Sequence, residues 1–232
     1  MAQTPDINET FVREVDENLR RDRLRDFARN NGALLVGAVI LFLAASAGAI
    51  WWQQHSRQHS EQQAEKLVDT YRALADRKTG VETTKQLDEL SASSSKAVRA
   101  SALFSRAVLA LDKNDTRLAT AKFREVAEDS SLPKAYRDIA LIRQTALEFD
   151  QLPAQTVVAR LAPLSTPDSP WFASAGEMTG LALIKQGKKA QAGEIFAAIA
   201  KNKDAPESAR QRAIQIASSL GVDATSALPP TQ

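Results

Sequence analysis

The sequence predicts an all-helical protein in which one transmembrane helix precedes an array of antiparallel helix pairs. An uncharged run extends from Gly32 to Trp52. At about 1.5 Å per residue, a helix of this length crosses the hydrocarbon core of a bilayer. Beyond the run, segments of helical length alternate with short turns, and no stretch of alternating β-branched residues indicates a strand. Similar residues recur there at a fixed shift, which indicates a repeated helix pair.

The first segment, residues 1–31, is predicted to be cytoplasmic, amphipathic and rich in arginine; the alternative to an amphipathic helix at the membrane surface is a segment that acts only as a topology signal. Asp6 and Glu9 have the spacing of a helix capping box, and apolar residues then follow at helical intervals. Five arginines occupy the twelve residues before the uncharged run, whereas the twelve residues after it contain one arginine, Arg57, and no lysine. The positive-inside rule therefore places the N-terminus in the cytoplasm and the later domain across the membrane. The topology-determining residues are Arg20, Arg21, Arg23, Arg25 and Arg29.

The predicted transmembrane helix, residues 32–52, ends in two tryptophans, which favour the headgroup layer. The residues at 45–47 resemble a signal-peptidase site, so a cleaved signal peptide is the alternative. An uncleaved anchor is the preferred interpretation, because the leader is long and the apolar run continues past that site. Within the run, Ala44 and Gly48 form a small-xxx-small pair that suits helix packing, although alanine and glycine are common in membrane helices and a chance occurrence is the preferred interpretation. The anchor residues are Gly32, Ala44, Gly48, Trp51 and Trp52.

Three segments are predicted after the membrane. Residues 53–66 form a polar, helical stalk, residues 67–221 form the helical domain, and residues 222–232 form a disordered tail. The first apolar residues of the domain are spaced to dock on the next helix: Leu67, Val68, Tyr71, Leu74 and Ala75. Turn residues then separate predicted helices at 81–91, 95–112, 115–129, 133–149, 154–163, 169–186, 188–201 and 206–220.

The composition excludes several classes of function. The chain after Trp52 carries 24 Lys and Arg against 21 Asp and Glu, too balanced for a nucleic-acid surface. No cysteine is present, so thiolate chemistry and disulfides are absent. His55 and His59 share one helix face, but a metal site needs a third ligand. Ser93 and Lys96 have a nucleophile-like spacing, although serines before a helix are usually caps.

No phosphate-binding glycine motif occurs either. The sequence therefore predicts a protein that is not an enzyme, with no catalytic or metal-binding residues, no cofactor, no small-molecule substrate and no nucleic-acid partner. The predicted partners are the membrane and other proteins.

The repeat becomes visible when the chain is aligned with itself so that Ala119 falls on Ala192. The stretch "ATAKFREVAEDSSLPKAYR" from Ala119 then aligns with "AGEIFAAIAKNKDAPESAR" from Ala192. A small residue, an alanine twelve positions later and a phenylalanine four positions after that are typical of tetratricopeptide repeats, in which close helices are plugged by an aromatic ring. The predicted packing residues are Ala107, Ala119, Phe123, Pro133, Gly180, Ala192, Phe196 and Pro206.

The repeats depart from the standard pattern, so the prediction is a degenerate tetratricopeptide-like array, with generic helical hairpins as the alternative. Leu103 and Gly176 occupy the usual tryptophan position, and each proline lies about two residues late. The shift between the aligned stretches also leaves room for a divergent middle unit at 135–170. First helices of such pairs line a concave face, where Phe104 and Glu177 are the equivalent candidate protein-binding residues. For Phe104, plain core packing is the favoured alternative, and Trp171 is expected to close the core between repeats.

The order of these segments resembles a known family. A leader containing "ETFVREVDENLRRDRL", one membrane helix, the stalk "QQHSRQHSEQQA" and repeats ending in "ARQRAIQIASSLG" are similar to the bacterial ancillary Sec translocon subunit family, in its alphaproteobacterial branch. The resemblance implies a single-pass inner-membrane protein with a periplasmic, tetratricopeptide-like domain. It also implies a scaffold or chaperone at the Sec translocon that assists handover of exported polypeptides, with translocon subunits, periplasmic chaperones or exported polypeptides as partners. The alternative is an adaptor for cell-envelope assembly or cell division.

Overall fold

A computed structural model describes the backbone of residues 7–223. The side chains of residues 7–36, 39, 56, 57 and 59 lie outside this description, as do residues 1–6 and 224–232. The chain divides into two compact units, one ending at His59 and the other beginning at Ser60, and each unit is described separately.

The first unit contains most of helix α1, which runs from Ile7 to Ala75. Large apolar side chains at 40–43 and 50–52 are each at least 60% exposed on this helix. Among the described residues, no helix combines the length and the apolarity that crossing a bilayer requires. Part of the predicted span, residues 32–36 and 39, has side chains outside the description.

The second unit consists of the end of α1 and eight further α-helices among the described residues. Each of the eight predicted helices has an observed counterpart whose ends differ from the prediction by three residues at most. Their bounds are α2 Val81–Ser91, α3 Lys96–Asp112, α4 Thr116–Glu128, α5 Lys134–Glu148, α6 Ala154–Leu161, α7 Phe172–Lys185, α8 Lys189–Lys201 and α9 Glu207–Ser219.

The predicted helix at 154–163 is too long by two residues. Helix α6 ends at Leu161, and a short 3-10 helix covers Ala162–Leu164. Pro163 explains the change, because proline has no backbone N–H to donate the hydrogen bond that would continue the α-helix.

Residues with a left-handed backbone conformation, that is a positive φ, follow most of the first helices of the pairs. Asn114 after α3 and Gly187 after α7 have φ of 59° and 76° and lie at equivalent positions of the repeat. In both turns the next amide donates back to the helix, from Asp115 to the Ala110 carbonyl and from Lys188 to the Leu183 carbonyl. Arg77 after α1 and Gly221 after α9 also have positive φ. This hydrogen-bonded C-terminal motif stops each helix and turns the chain back for its partner.

Small hydrophobic clusters follow one another along the domain instead of forming a single centre. One joins α1, α2 and α3, the next two join α3 with α4 and α5, another joins α5, α6 and α7, and the last joins α7, α8 and α9. Helices therefore pack on their sequence neighbours, which is the organisation of a repeat array.

The docking prediction for the start of the domain is wrong in part. Leu67 is buried and Leu74 packs against the same cluster. Val68, Tyr71 and Ala75 are exposed instead. A helix buries only one stripe, and α2 and α3 cover the stripe that contains Leu67 and Leu74. The domain also extends past the predicted end, since Val222 packs against the last cluster.

The coarser fold prediction is confirmed: the part of the chain that the structure describes is all-α, with helices joined by short turns and no strands, and its domain is an array of helix pairs.

Candidate protein-binding surface

The first helices of the pairs are the end of α1 with α3, α5, α7 and α9, and each of them contacts the next: α1 and α3 line one groove, aromatic rings join α3 to α5, α5 and α7 line another groove, and an ion pair joins α7 to α9. We call the surface that these adjacent helices share the first-helix face. A groove of about 380 Å³ lies on this face between α1 and α3. We call it the first groove, and its walls include Tyr71, Leu74, Phe104, Val108 and Asp112. Tyr71 and Val108 are exposed at 41% and 53%, so apolar surface is open to solvent there.

A second groove, of about 390 Å³, lies between α5 and α7. Its walls include Ile139, Arg143, Trp171, Met178 and Leu181. Leu181 is 38% exposed, and Met178 adds a flexible, polarisable side chain. The sequence assigns Trp171 to the core between repeats, and the structure places it both against that core and in the groove wall.

The walls that α3 and α7 contribute to the two grooves occupy equivalent positions in the repeat. The shift that aligns Ala119 with Ala192 also carries Val108 onto Leu181 and Ser101 onto Ser174, and each pair contributes one residue to each groove. Helices α3 and α7 therefore each present an apolar side chain and a hydroxyl to a groove from equivalent positions of the repeat.

The predicted binding residues Phe104 and Glu177 also line the two grooves. Phe104 is half-buried, because its ring packs at a tilt on Phe123 and Tyr136 with centroids 5.9 and 6.4 Å away. Glu177 accepts two hydrogen bonds from Arg212 of α9, at 3.1 and 2.9 Å. Hydrogen bonding to Glu177 and its charge raise the pKa of Arg212. These residues therefore join helices as well as facing the grooves.

The predicted packing residues bring α3 onto α4 and α7 onto α8. The Phe196 ring is completely buried, and a Cβ built on Gly180 would lie 2.6 Å from its Cε2 atom. Glycine is therefore needed where α7 approaches this ring. In the earlier pair, Phe123 and Ala107 belong to one buried cluster. Ala119 and Ala192 are fully buried as well.

The two predicted prolines start helices. Pro133 and Pro206 precede α5 and α9 with nearly identical backbone angles, φ −54° and ψ 143° or 142°. Both are exposed, so they set the chain direction at the turns instead of filling the core.

Ion pairs join successive helices around the middle unit. Glu148 of α5 pairs with Arg160 of α6 at 2.5 Å and with Arg124 of α4 at 2.9 Å. Burial raises the pKa of Glu148, but the hydrogen bonds and charges of the two arginines lower it by more. Asp129 accepts hydrogen bonds from Ser131, which lower its pKa, and Arg99 lies beside it.

Of the side chains that the structure describes, neither the serine considered as a nucleophile nor a histidine considered as a metal ligand lines either groove. The Ser93 side chain is 2% exposed, bonds Gln63 and accepts the Ser95 amide before α3. His55 stacks on Trp51, and the side chain of His59 lies outside the described residues. Within the described part of the chain, no three metal-ligating side chains cluster.

The predicted anchor and topology residues lie in α1. Ala44, Gly48, Trp51 and Trp52 are exposed there, and nothing lies within 4 Å of a Cβ built on Gly48. The side chains of the five arginines predicted to determine the topology, and residue Gly32, fall outside the described residues.

Sequence reasoning missed most of the groove walls. Nothing in the local pattern marks Arg143 or Met178, and the spacing assigns Tyr71 to a buried contact. The repeat alignment could have found Leu181, because it aligns with Val108, another apolar residue next to a small one.

Comparison with known proteins agrees with this architecture. Residues 25–218 match the family described as tetratricopeptide repeat-like domain. The match begins before the uncharged run and ends within α9. Neither the curated proteins nor the solved structures gave a match. Since the match covers most of the chain, the protein belongs to the tetratricopeptide repeat-like domain family.

Proposed function

We propose that this protein is a membrane-anchored scaffold whose helical domain binds polypeptides on the face formed by the first helices. The observation that carries the proposal is the pair of grooves in which Val108 of α3 and Leu181 of α7, at equivalent positions of the repeat, are exposed. Tetratricopeptide-like domains generally bind proteins, and repeat arrays do so through such surfaces. Exposed apolar side chains gathered in a groove are typical of an interaction site.

The proposed anchor is the segment 32–52. Its support is the absence of any charged residue from Gly32 to Trp52, together with the exposure of its large apolar side chains at every described position. The arginine asymmetry around it supports a cytoplasmic N-terminus and a periplasmic domain in a bacterial inner membrane.

The proposed location is the Sec translocon, where the domain would assist the handover of exported polypeptides. The support is the segment order that resembles the ancillary translocon subunits, together with a face that offers apolar grooves to an incoming chain. Translocon subunits and periplasmic chaperones are the expected partners.

In-cell photocrosslinking tests the partner proposal. A photoreactive residue replaces Val108 or Leu181 in the grooves, or, as the control, the exposed Ala121 of α4. Adducts to translocon subunits or periplasmic chaperones from the grooves, but not from α4, are the expected result. Adducts restricted to division or wall-synthesis proteins would support the adaptor function instead, and equal labelling from both faces would contradict a binding role for the grooves.

Membrane orientation is tested by single-cysteine labelling, for which the chain is suited because it has no cysteine. Thr4→Cys and Lys113→Cys are treated in intact cells with a maleimide that cannot cross the inner membrane. Labelling of the Lys113→Cys variant alone is expected. Retention of an N-terminal tag on the mature protein separates an anchor from a cleaved signal peptide, and loss of the tag would overturn the anchoring.

A further inference from the structure

We infer that one extended polypeptide segment, with two apolar anchor residues and opposite charges beside them, occupies both grooves at once. This inference rests on the proposed binding function and specifies the chemistry of the partner.

The spacing of the grooves favours a single occupant. Neighbouring helices pack about 8–10 Å apart, and the grooves are separated by two such intervals. The α3 and α5 helices that separate them are in contact, since the Phe104 and Tyr136 ring centroids are 6.4 Å apart. An extended chain advances about 3.3 Å per residue, so anchors roughly five or six residues apart reach both Val108 and Leu181.

Hydroxyls on the groove walls favour an extended partner over a helical one. Ser101 and Ser174 line the two grooves at equivalent repeat positions. Neither side-chain hydroxyl makes a hydrogen bond within the described part of the chain. An extended backbone presents amides and carbonyls that need partners, whereas a helix satisfies its own.

The charges at the two grooves differ in sign. Asp112 lines the first groove, and Arg143 lines the second. Both are exposed, and among the described residues neither forms an ion pair. Glu177, the acid in the second groove, is already paired with Arg212. Charge complementarity therefore places a basic residue of the partner at the first groove and an acidic residue at the second.

The test uses the full-length protein in detergent and a short fluorescent synthetic peptide. The peptide has a Gly/Ser/Thr host sequence and two phenylalanines about six residues apart, with lysine beside one and glutamate beside the other. Val108→Ser and Leu181→Ser each remove one exposed apolar contact. The matched control is Val81→Ser, because Val81 is 87% exposed and lies in neither groove.

Each groove substitution should weaken peptide binding about fivefold to tenfold, and the double substitution should approach the product of the two effects. The control should change binding less than about twofold. A peptide with one phenylalanine should bind far more weakly, because two linked sites gain from effective concentration. Loss at only one groove, or an unchanged affinity with one phenylalanine, would overturn the single-occupant inference.

Reversing the charge of the exposed residue Arg143 provides a second test, in which peptide binding is measured. Arg143→Glu should weaken binding of the lysine/glutamate peptide and strengthen binding of a peptide with two lysines. Equal effects on both peptides would exclude the proposed charge pattern. If photocrosslinks form at the grooves in cells but the peptide does not bind, only this inference fails; if neither occurs, the proposed function fails as well.

Discussion

The close approach of α7 to Phe196 makes Gly180→Ala a direct test of the repeat packing. The added Cβ would lie 2.6 Å from Cε2 and 2.9 Å from Cζ of the Phe196 ring. Carbon atoms at van der Waals contact are about 3.5–4.0 Å apart, so the ring or the helix must move by roughly 1 Å. The ring is completely buried, as is Ala192, and Ile199 is 1% exposed, so the ring can move only by displacing its packed neighbours.

Two effects of Gly180→Ala oppose each other. Replacing glycine by alanine inside a helix stabilises it by about 1 kcal/mol. Overpacking a filled core costs about 1–3 kcal/mol, and a clash with a rigid ring belongs to the upper part of that range. We therefore expect a net loss of about 1–2 kcal/mol, which corresponds to a fall in melting temperature of about 2–8 °C.

The assay is urea unfolding of the full-length protein in detergent, followed by Trp171 fluorescence in a Trp51→Phe, Trp52→Phe background. Trp171 then becomes the only tryptophan, and it immediately precedes α7. The control is the double variant Gly180→Ala, Phe196→Leu, whose smaller side chain should relieve the clash. A more stable Gly180→Ala protein, or strictly additive effects in the double variant, would refute the packing argument.

Two further predictions concern the ends and junctions of the helices. Glu148→Gln should lower the free energy of unfolding by about 1–3 kcal/mol at neutral pH, because Arg124 and Arg160 lose their shared carboxylate. Since the pKa of Glu148 is lowered in the folded protein, its contribution is present above the ordinary carboxyl pKa and disappears as the pH falls through the lowered value. Urea unfolding between neutral and acidic pH should show this loss in the unsubstituted protein and not in Glu148→Gln. At the helix ends, Gly187→Ala should lower stability by about 1 kcal/mol, because its φ of 76° strains an L side chain. Asn114→Gly at the equivalent turn should be neutral or stabilising in the same assay, and equal losses at both sites would contradict this account.

The positions of the helices were predictable because turn chemistry is local. Pro133 and Pro206 begin helices as expected, and the repeat alignment correctly paired Ala107 with Gly180. The error at the end of α6 arose from Pro163, whose missing amide shortens the helix although the apolar pattern continues.

The faces of the helices were less predictable. The spacing of five apolar residues near the end of α1 predicts docking, yet Val68 and Tyr71 are exposed. That spacing shows that they share one side of a helix, but it does not show how wide a stripe the neighbouring helices cover. Arg143 could not be assigned to a groove for the same reason, since its neighbours there come from another helix.

The sequence by itself determined that the domain is helical, where its helices lie to within three residues at each end, and which small and aromatic residues recur between repeats. These properties depend on contacts within one helix or one turn, so the local order of residues encodes them. Only the tertiary structure decided which apolar residues remain exposed, that α3 and α7 each form the wall of a groove on the face of the first helices, and that Asp112 lines one groove and Arg143 the other. Those features arise where separate helices meet, and their geometry depends on packing distances that no spacing within the sequence specifies.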